Sequence, residues 1–175
     1  MFEVFYPDYI AGSTYRIDFK RLSEEGIRGL IFDIDNTLVG HGAPADWRVI
    51  DLFKELHSLG IRTVLLSNNK ERRVKSFAKE VDSLYIYKAN KPSTKGYIKA
   101  MELMGTDRSN TLFVGDQLFT DVWGAKRSGI KTVLVGQLYK QEEIQIVLKR
   151  ILEKPVLKLY RRSKYYKELD NGSND

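Results

Sequence analysis

The sequence predicts an α/β fold built on a mainly parallel, doubly wound sheet. Two observations carry this expectation. Short apolar runs of strand length alternate with segments whose apolar residues recur at helical spacing, and acidic, hydroxyl or basic residues stand just past the ends of those runs. The 175 residues are enough for one domain with a sizeable core. Gly29-Leu30-Ile31-Phe32 is the first strand, an unbroken apolar run. Residues 46–59 follow as a helix, with Trp47, Ile50, Phe53 and Leu56 on one stripe and Gly60 closing it. Residues 61–66 form a strand ending at Ser67-Asn68-Asn69, and residues 70–81 a helix with Val74, Phe77, Ala78 and Val81 inward. A short strand over 84–89 leads to Lys91-Pro92. Ser93 or Thr94 then caps a helix with Tyr97, Ala100, Met101 and Met104 on one face. Thr111-Leu112-Phe113-Val114 is a strand ending at Gly115-Asp116, a helix spans about 121–128, and residues 131–135 make the last strand.

Composition removes several chemistries. The chain has no cysteine, which excludes disulfides, a thiolate zinc site and a cysteine nucleophile. Its two histidines, His41 and His57, are too few for a histidine-rich metal centre. Hydrolysis would therefore run on carboxylates. No apolar stretch approaches the ~20 residues that span a bilayer. The first residues lack the basic start and apolar centre of a signal peptide, so the expected location is cytoplasmic, with peripheral contact at the inner face of the membrane as an extension. The formal charge of +6 suggests an anionic partner without choosing one.

Asp33 and Asp35 follow the first strand with one residue between them, so they point the same way. Two neighbouring anions cost free energy unless a cation lies between them or a proton transfer needs them. We read Asp33 as a nucleophile, Asp35 as an acid/base and Mg²⁺ as the counter-ion. Asn36-Thr37 supplies a turn whose backbone N–H groups and hydroxyl can meet a phosphate. Ser67, with Asn68 and Asn69 opening a helix, is a second phosphate seat, although an ordinary N-cap explains it equally well. Lys91 would hold the phosphoryl group and offset the charge on Asp33. Gly115 ends a strand before Asp116, which suits a hard oxygen-loving cation. Asp121 either ligates or, preferably, orients Lys91 and the metal waters, with a helix N-cap as its plainer account.

In order, Asp33-Ile34-Asp35-Asn36-Thr37, Ser67, Lys91-Pro92 and Gly115-Asp116-Gln117-Leu118-Phe119-Thr120-Asp121 resemble the four motifs of the haloacid dehalogenase-like (HAD) phosphatases, over residues 29–136. The resemblance implies a three-layer Rossmann-like fold and an aspartyl-phosphate on Asp33. It also implies Asp35 as the acid and then the base, and Mg²⁺ held by the side chains of Asp33 and Asp116 and the backbone carbonyl of Asp35. Residues 39–60 and 70–90 are too short for a separate cap domain, so the site should be open. Pro7-Asp8-Tyr9, Ile17-Asp18-Phe19, Leu22 and Gly26-Ile27-Arg28-Gly29 further resemble the YqeG-type branch, related to mitochondrial phosphatidylglycerophosphate phosphatases. That likeness implies a phospholipid headgroup as substrate. With no transit segment in view, it implies a bacterial enzyme at the cytosolic face.

Other readings compete. A HAD phosphatase acting on phosphoproteins or nucleotides is the enzyme alternative. A phospho-acceptor receiver would have an adjacent acidic pair and Lys-Pro as its last motif, whereas here Asp116 follows Lys91-Pro92. A nucleic-acid-binding module rests on charge alone, with no stacking or groove-reading motif, so nucleic acid is not an expected partner. Residues 1–152 are expected to form the phosphatase domain and 153–175 a basic, aromatic tail able to lie on an anionic leaflet. A solvated helix is the alternative for that tail, and its polar end from Asp170 is expected to be disordered. Phe2, Phe5, Tyr6 and Tyr9 are expected to pack on the domain, and His41 to be a solvated loop residue near the entrance.

Overall fold

A computed structural model describes residues 2–139 and 144–170. Six strands form one all-parallel sheet: β1 (Tyr9–Ala11), β2 (Gly29–Phe32), β3 (Arg62–Leu66), β4 (Leu84–Ile86), β5 (Thr111–Gly115) and β6 (Lys131–Val135), in the spatial order β1-β6-β5-β2-β3-β4. The helices are α1 (Phe19–Glu24), α2 (Trp47–Ser58), α3 (Glu71–Glu80), α4 (Thr94–Met104), α5 (Trp123–Arg127) and α6 (Ile144–Arg161). Strand alternation divides the core in two. Leu30 and Phe32 of β2 point to one face, where Val49 and Phe53 of α2 and Val74 and Phe77 of α3 pack. Ile31 points to the other face, against Tyr97, Ala100 and Met104 of α4 and Ala125 of α5. Central strands buried on both faces read as continuous apolar runs, which is why β2 and β5 were so plain in the sequence.

Several details depart from the expectations. β1 is a sixth strand that the sequence did not signal. Its outer edge is paired by the chain's own C-terminal segment, with Ile10 N–H donating to Lys167 O and Leu169 N–H donating to Ile10 O, both at 2.9 Å. β4 stops at Ile86, three residues before the expected end, and the chain turns with Lys88 and Asn90 at positive φ. A π-helical turn, Leu118–Val122, precedes α5 where one helix was expected. Trp47 is 73% exposed rather than part of the apolar stripe of α2. That stripe runs through Val49, Leu52, Phe53 and Leu56, and a residue two positions before Val49 lies on the far side of a helix with 3.6 residues per turn.

The division expected at 152/153 falls inside α6. Glu153, Val156, Tyr160 and Leu169 beyond it are buried, so 153–170 packs on the body instead of trailing from it. Asp170, where disorder was expected to begin, accepts from Gly12 N–H at 2.7 Å and pairs with Arg16 at 3.3 Å. Residues 171–175 lie outside the described residues. The aromatic N-terminus packs on the domain: Phe5 meets the rings of Phe119 and Trp123, and Tyr6 those of Tyr160 and Tyr165. Among the described residues no cap domain interrupts the fold: 39–60 hold a loop and α2, and 70–90 hold α3 and β4. Among the described residues no helix is long and apolar enough to cross a membrane.

Candidate active site

The carboxyl ends of four neighbouring strands, β5, β2, β3 and β4, bring the polar residues together. Asp33 extends the ladder of β2, its N–H donating to Val114 O at 3.0 Å. Asp116 follows β5 on one side, Ser67 follows β3 on the other, and Lys91 arrives from the loop after β4 through a cis peptide to Pro92. Lys91 Nζ lies 2.5 Å from Asp33 Oδ1 and 2.7 Å from Asp121 Oδ1, and all three residues are buried. The Thr37 hydroxyl stands 3.3 Å from Asp33 Oδ2 and 3.2 Å from Asp116 Oδ1, and its single proton can serve one of them at a time. Gly115 makes room for this. A Cβ there would stand 2.6 Å from Asp121 Oδ2, the oxygen that accepts from Gln117 N–H at 3.1 Å.

Asp33, Asp116 and Asp121 each offer one carboxylate oxygen, and the three oxygens lie within 4.8 Å of one another. Burial is the main force pushing the Asp33 carboxyl up to about 7. Lys91 opposes that shift, and the charges of Asp121 and Asp35 add to it. Asp116 is raised well above the ordinary range by burial first, then by repulsion from Asp33 and Asp121, with Arg150 opposing. Burial also disfavours the charge on Lys91, yet Asp121 and Asp33 hold its pKa above that of an ordinary lysine. The buried carboxylates Asp33, Asp116, Asp121 and Glu153 thus outnumber the cations Lys91 and Arg150 beside them. The surplus favours protons unless a cation enters. A divalent cation would balance this set, and hard oxygen donors without His or Cys suit Mg²⁺.

The other expected residues are placed more specifically than the sequence allowed. Asp35 turns its carboxylate away from that cluster, accepting from Gly42 N–H at 2.8 Å and Asn69 Nδ2 at 3.4 Å and pairing with Arg73 at 3.2 Å. The backbone N–H groups of Asn36 and Thr37, expected to meet phosphate, are used within their own turn, by Val39 O at 2.7 Å and Ile34 O at 3.3 Å. Asn68, also expected at the phosphate, lines the cleft and holds the backbone of Lys91, with Oδ1 accepting from its N–H at 2.7 Å and Nδ2 donating to its carbonyl at 3.3 Å. Ser67 lines the cleft and accepts from Asn69 N–H at 3.1 Å. Asp121 contacts Lys91 and the Gln117 N–H beside Gly115, and His41 stands exposed at the rim. The cleft holds about 390 Å³ and is open.

Two groups at the site had no readable signal. Arg150 of α6 spans Asp116, donating through Nη2 to its carboxylate Oδ2 and through Nη1 to its backbone carbonyl. Glu153, one turn on, accepts from Leu118 N–H at 2.8 Å and sits 3.4 Å from Arg150. In sequence they are two charged residues in a lysine-rich helix. Only the packing of α6 shows them turning inward.

Comparison with known proteins agrees with this geometry. A family model for hydrolases, the haloacid dehalogenase-like hydrolases, matches residues 41–129. The "Probable phosphatase YqeG" of Bacillus subtilis is 36% identical over 159 residues, covering 90% of this chain and 92% of that one. The chain belongs to the haloacid dehalogenase-like hydrolases. Within that family it is an enzyme of the phosphatase kind. Phosphatidylglycerophosphate phosphatase 1 of Arabidopsis thaliana is 29% identical over 162 residues, and this chain spans 83% of itself but only 45% of that protein. Among solved structures, a HAD phosphatase from Thermococcus onnurineus shares the fold with a TM-score of 0.53 at 15% identity, over 72% of this chain and 98% of that one.

Proposed function

We infer that this enzyme hydrolyses a phosphomonoester through an aspartyl-phosphate on Asp33, with Mg²⁺ bound, and that its substrate is phosphatidylglycerophosphate. The observation that carries the reading is the buried Asp33 carboxylate, held by Lys91 at 2.5 Å inside the cluster with Asp116 and Asp121. Asp33 attacks phosphorus as the P–O bond to the leaving alcohol breaks, and Asp35 gives that oxygen a proton. Asp35 then takes a proton from water, the water oxygen bonds phosphorus, and the Asp33–phosphorus bond breaks to return the carboxylate. Lys91 neutralises charge on Asp33 and on the transferring group. Asp33 and Asp116 would hold Mg²⁺ through their carboxylates, with Asp121 beside them tied to Lys91 and the Gln117 N–H, and the carbonyl of Asp35 would be a further donor by resemblance to the family. When bound, Mg²⁺ supplies positive charge for the phosphoryl oxygens.

The lipid assignment is supported by the Arabidopsis relative and by an open cleft without a cap, which leaves room for a headgroup still anchored in a bilayer. The test is phosphate release from phosphatidylglycerophosphate, nucleotides and phosphopeptides, with Mg²⁺ and with EDTA, plus acid trapping of the phosphoenzyme. Wild type should yield a phosphopeptide containing Asp33, and Asp33→Asn should yield neither phosphopeptide nor turnover. Full activity of a folded Asp33→Asn protein would rule out the covalent route. Preference for nucleotides or phosphopeptides over the lipid would move the substrate to those classes.

A further inference from the structure

The helix α6 has two unlike faces. Arg150 and Glu153 turn into the site, and Val156 and Tyr160 are buried below them. Outward stand Ile144, Val147, Leu148, Ile151 and Leu152, each between 41% and 78% exposed. Their spacing is the i, i+3, i+4, i+7, i+8 repeat that a helix usually turns toward a core. Contiguous apolar surface of this kind marks an interaction site more often than chance.

Charge selects the occupant. Lys149, Lys154 and Lys158 are exposed on the same helix. Between residues 144 and 161 the single carboxylate is Glu153, and it is buried. A second copy docked about a two-fold axis would set these lysines against their own counterparts. An anionic lipid surface offers the opposite charge, and its acyl boundary takes the apolar stripe while the lysines reach the headgroups. The opposite face of the same helix reaches the catalytic cleft, which Ile146 and Lys149 line together with Asp33 and Ser67. Lys164 and Lys167 do not share this position. They lie with Asp8 and Lys131 at the amino-terminal end of the sheet, away from the carboxylates.

We propose that the outer face of α6 docks on an anionic bilayer and so holds the enzyme at the lipid surface. This rests on the lipid substrate inferred above, yet it can be tested without turnover. The full chain is floated with phosphatidylcholine vesicles, with and without phosphatidylglycerol, alongside Leu148→Ser/Leu152→Ser and Lys154→Glu/Lys158→Glu. Wild type should bind the anionic vesicles, and the leucine pair should weaken that binding by about tenfold or more, since each leucine carries substantial apolar area. The lysine pair should weaken binding to anionic vesicles, as should added salt. Neither pair should change hydrolysis of p-nitrophenyl phosphate or the circular dichroism spectrum. Absence of wild-type binding, or equal binding by the leucine variant, would overturn the proposal. So would light scattering that shows a wild-type dimer which the leucine pair dissociates, because the stripe would then be a contact between copies. Vesicle binding that behaves as expected while phosphatidylglycerophosphate is left intact would support the docking face and remove the lipid substrate.

Discussion

At Asp33 one carboxyl group meets opposing demands, since the nucleophile proposed above would have to be ionised and a buried carboxyl resists ionisation. Its pKa of about 7 lies above that of an exposed aspartate, so between those values the folded protein binds protons the unfolded chain releases. The associated stability is fully present below the ordinary aspartate range and is lost as pH rises through about 7. In EDTA the melting temperature should therefore fall from pH 5 to pH 8, and Mg²⁺ should raise it most at the alkaline end. A metal-free melting temperature that rises over this interval would contradict the account. Asp35 sits in a different setting, tied to Gly42, Asn69 and Arg73 at the cleft wall. Asp35→Asn keeps those acceptor positions in part but removes the transferable proton, so kcat should drop about 10²–10⁴-fold. Steady-state phosphate release on a matched soluble ester measures this.

Among the elements, α4 and α5 meet through one close approach. A Cβ on Gly124 would stand 2.6 Å from the Tyr97 hydroxyl, a buried group 3.1 Å from the carbonyl of Asp121. Gly124→Ala should cost about 1–3 kcal/mol in a denaturant titration, as overpacked cores do. Tyr97→Phe should rescue little of this cost, because the ring carbons Cε2 and Cζ would still stand 2.7 and 2.9 Å from that Cβ. Contacts of this kind also explain what was legible beforehand. β2, β3 and β5 announced themselves because both faces are buried, and Asp33, Ser67 and Asp116 could be placed because each stands immediately past such a run. Arg150 could not, since its role depends on which way α6 faces. Trp47 misled for the reverse reason: a large apolar residue near a helix start suggests burial, while the phase of the stripe leaves it in solvent. β1 was silent because three residues carry little pattern, and its partners lie more than a hundred positions away.

For the whole molecule, the two ends of the chain are structurally one region. Tyr160 Oη accepts from Lys167 N–H at 3.2 Å, Leu169 is buried, and Lys167 and Leu169 pair with β1. Ending the chain after Arg162 should lower stability by about 3 kcal/mol, from one buried leucine and several hydrogen bonds, read as an earlier urea midpoint. A truncated protein with an unchanged midpoint would show that the segment contributes nothing to the fold. The same arrangement bears on how the protein is made. Translation produces Tyr9-Ile10-Ala11 well before either of its partners, the strand Lys131–Val135 on one side and the segment Lys167–Leu169 on the other. Throughout that interval the nascent chain carries a strand-forming segment with no partner on either edge, and an exposed edge invites pairing with other chains. A ribosome that stalls or terminates before residue 131 releases a polypeptide whose first strand has water in place of both partners, and that edge is open to pairing with a neighbouring chain.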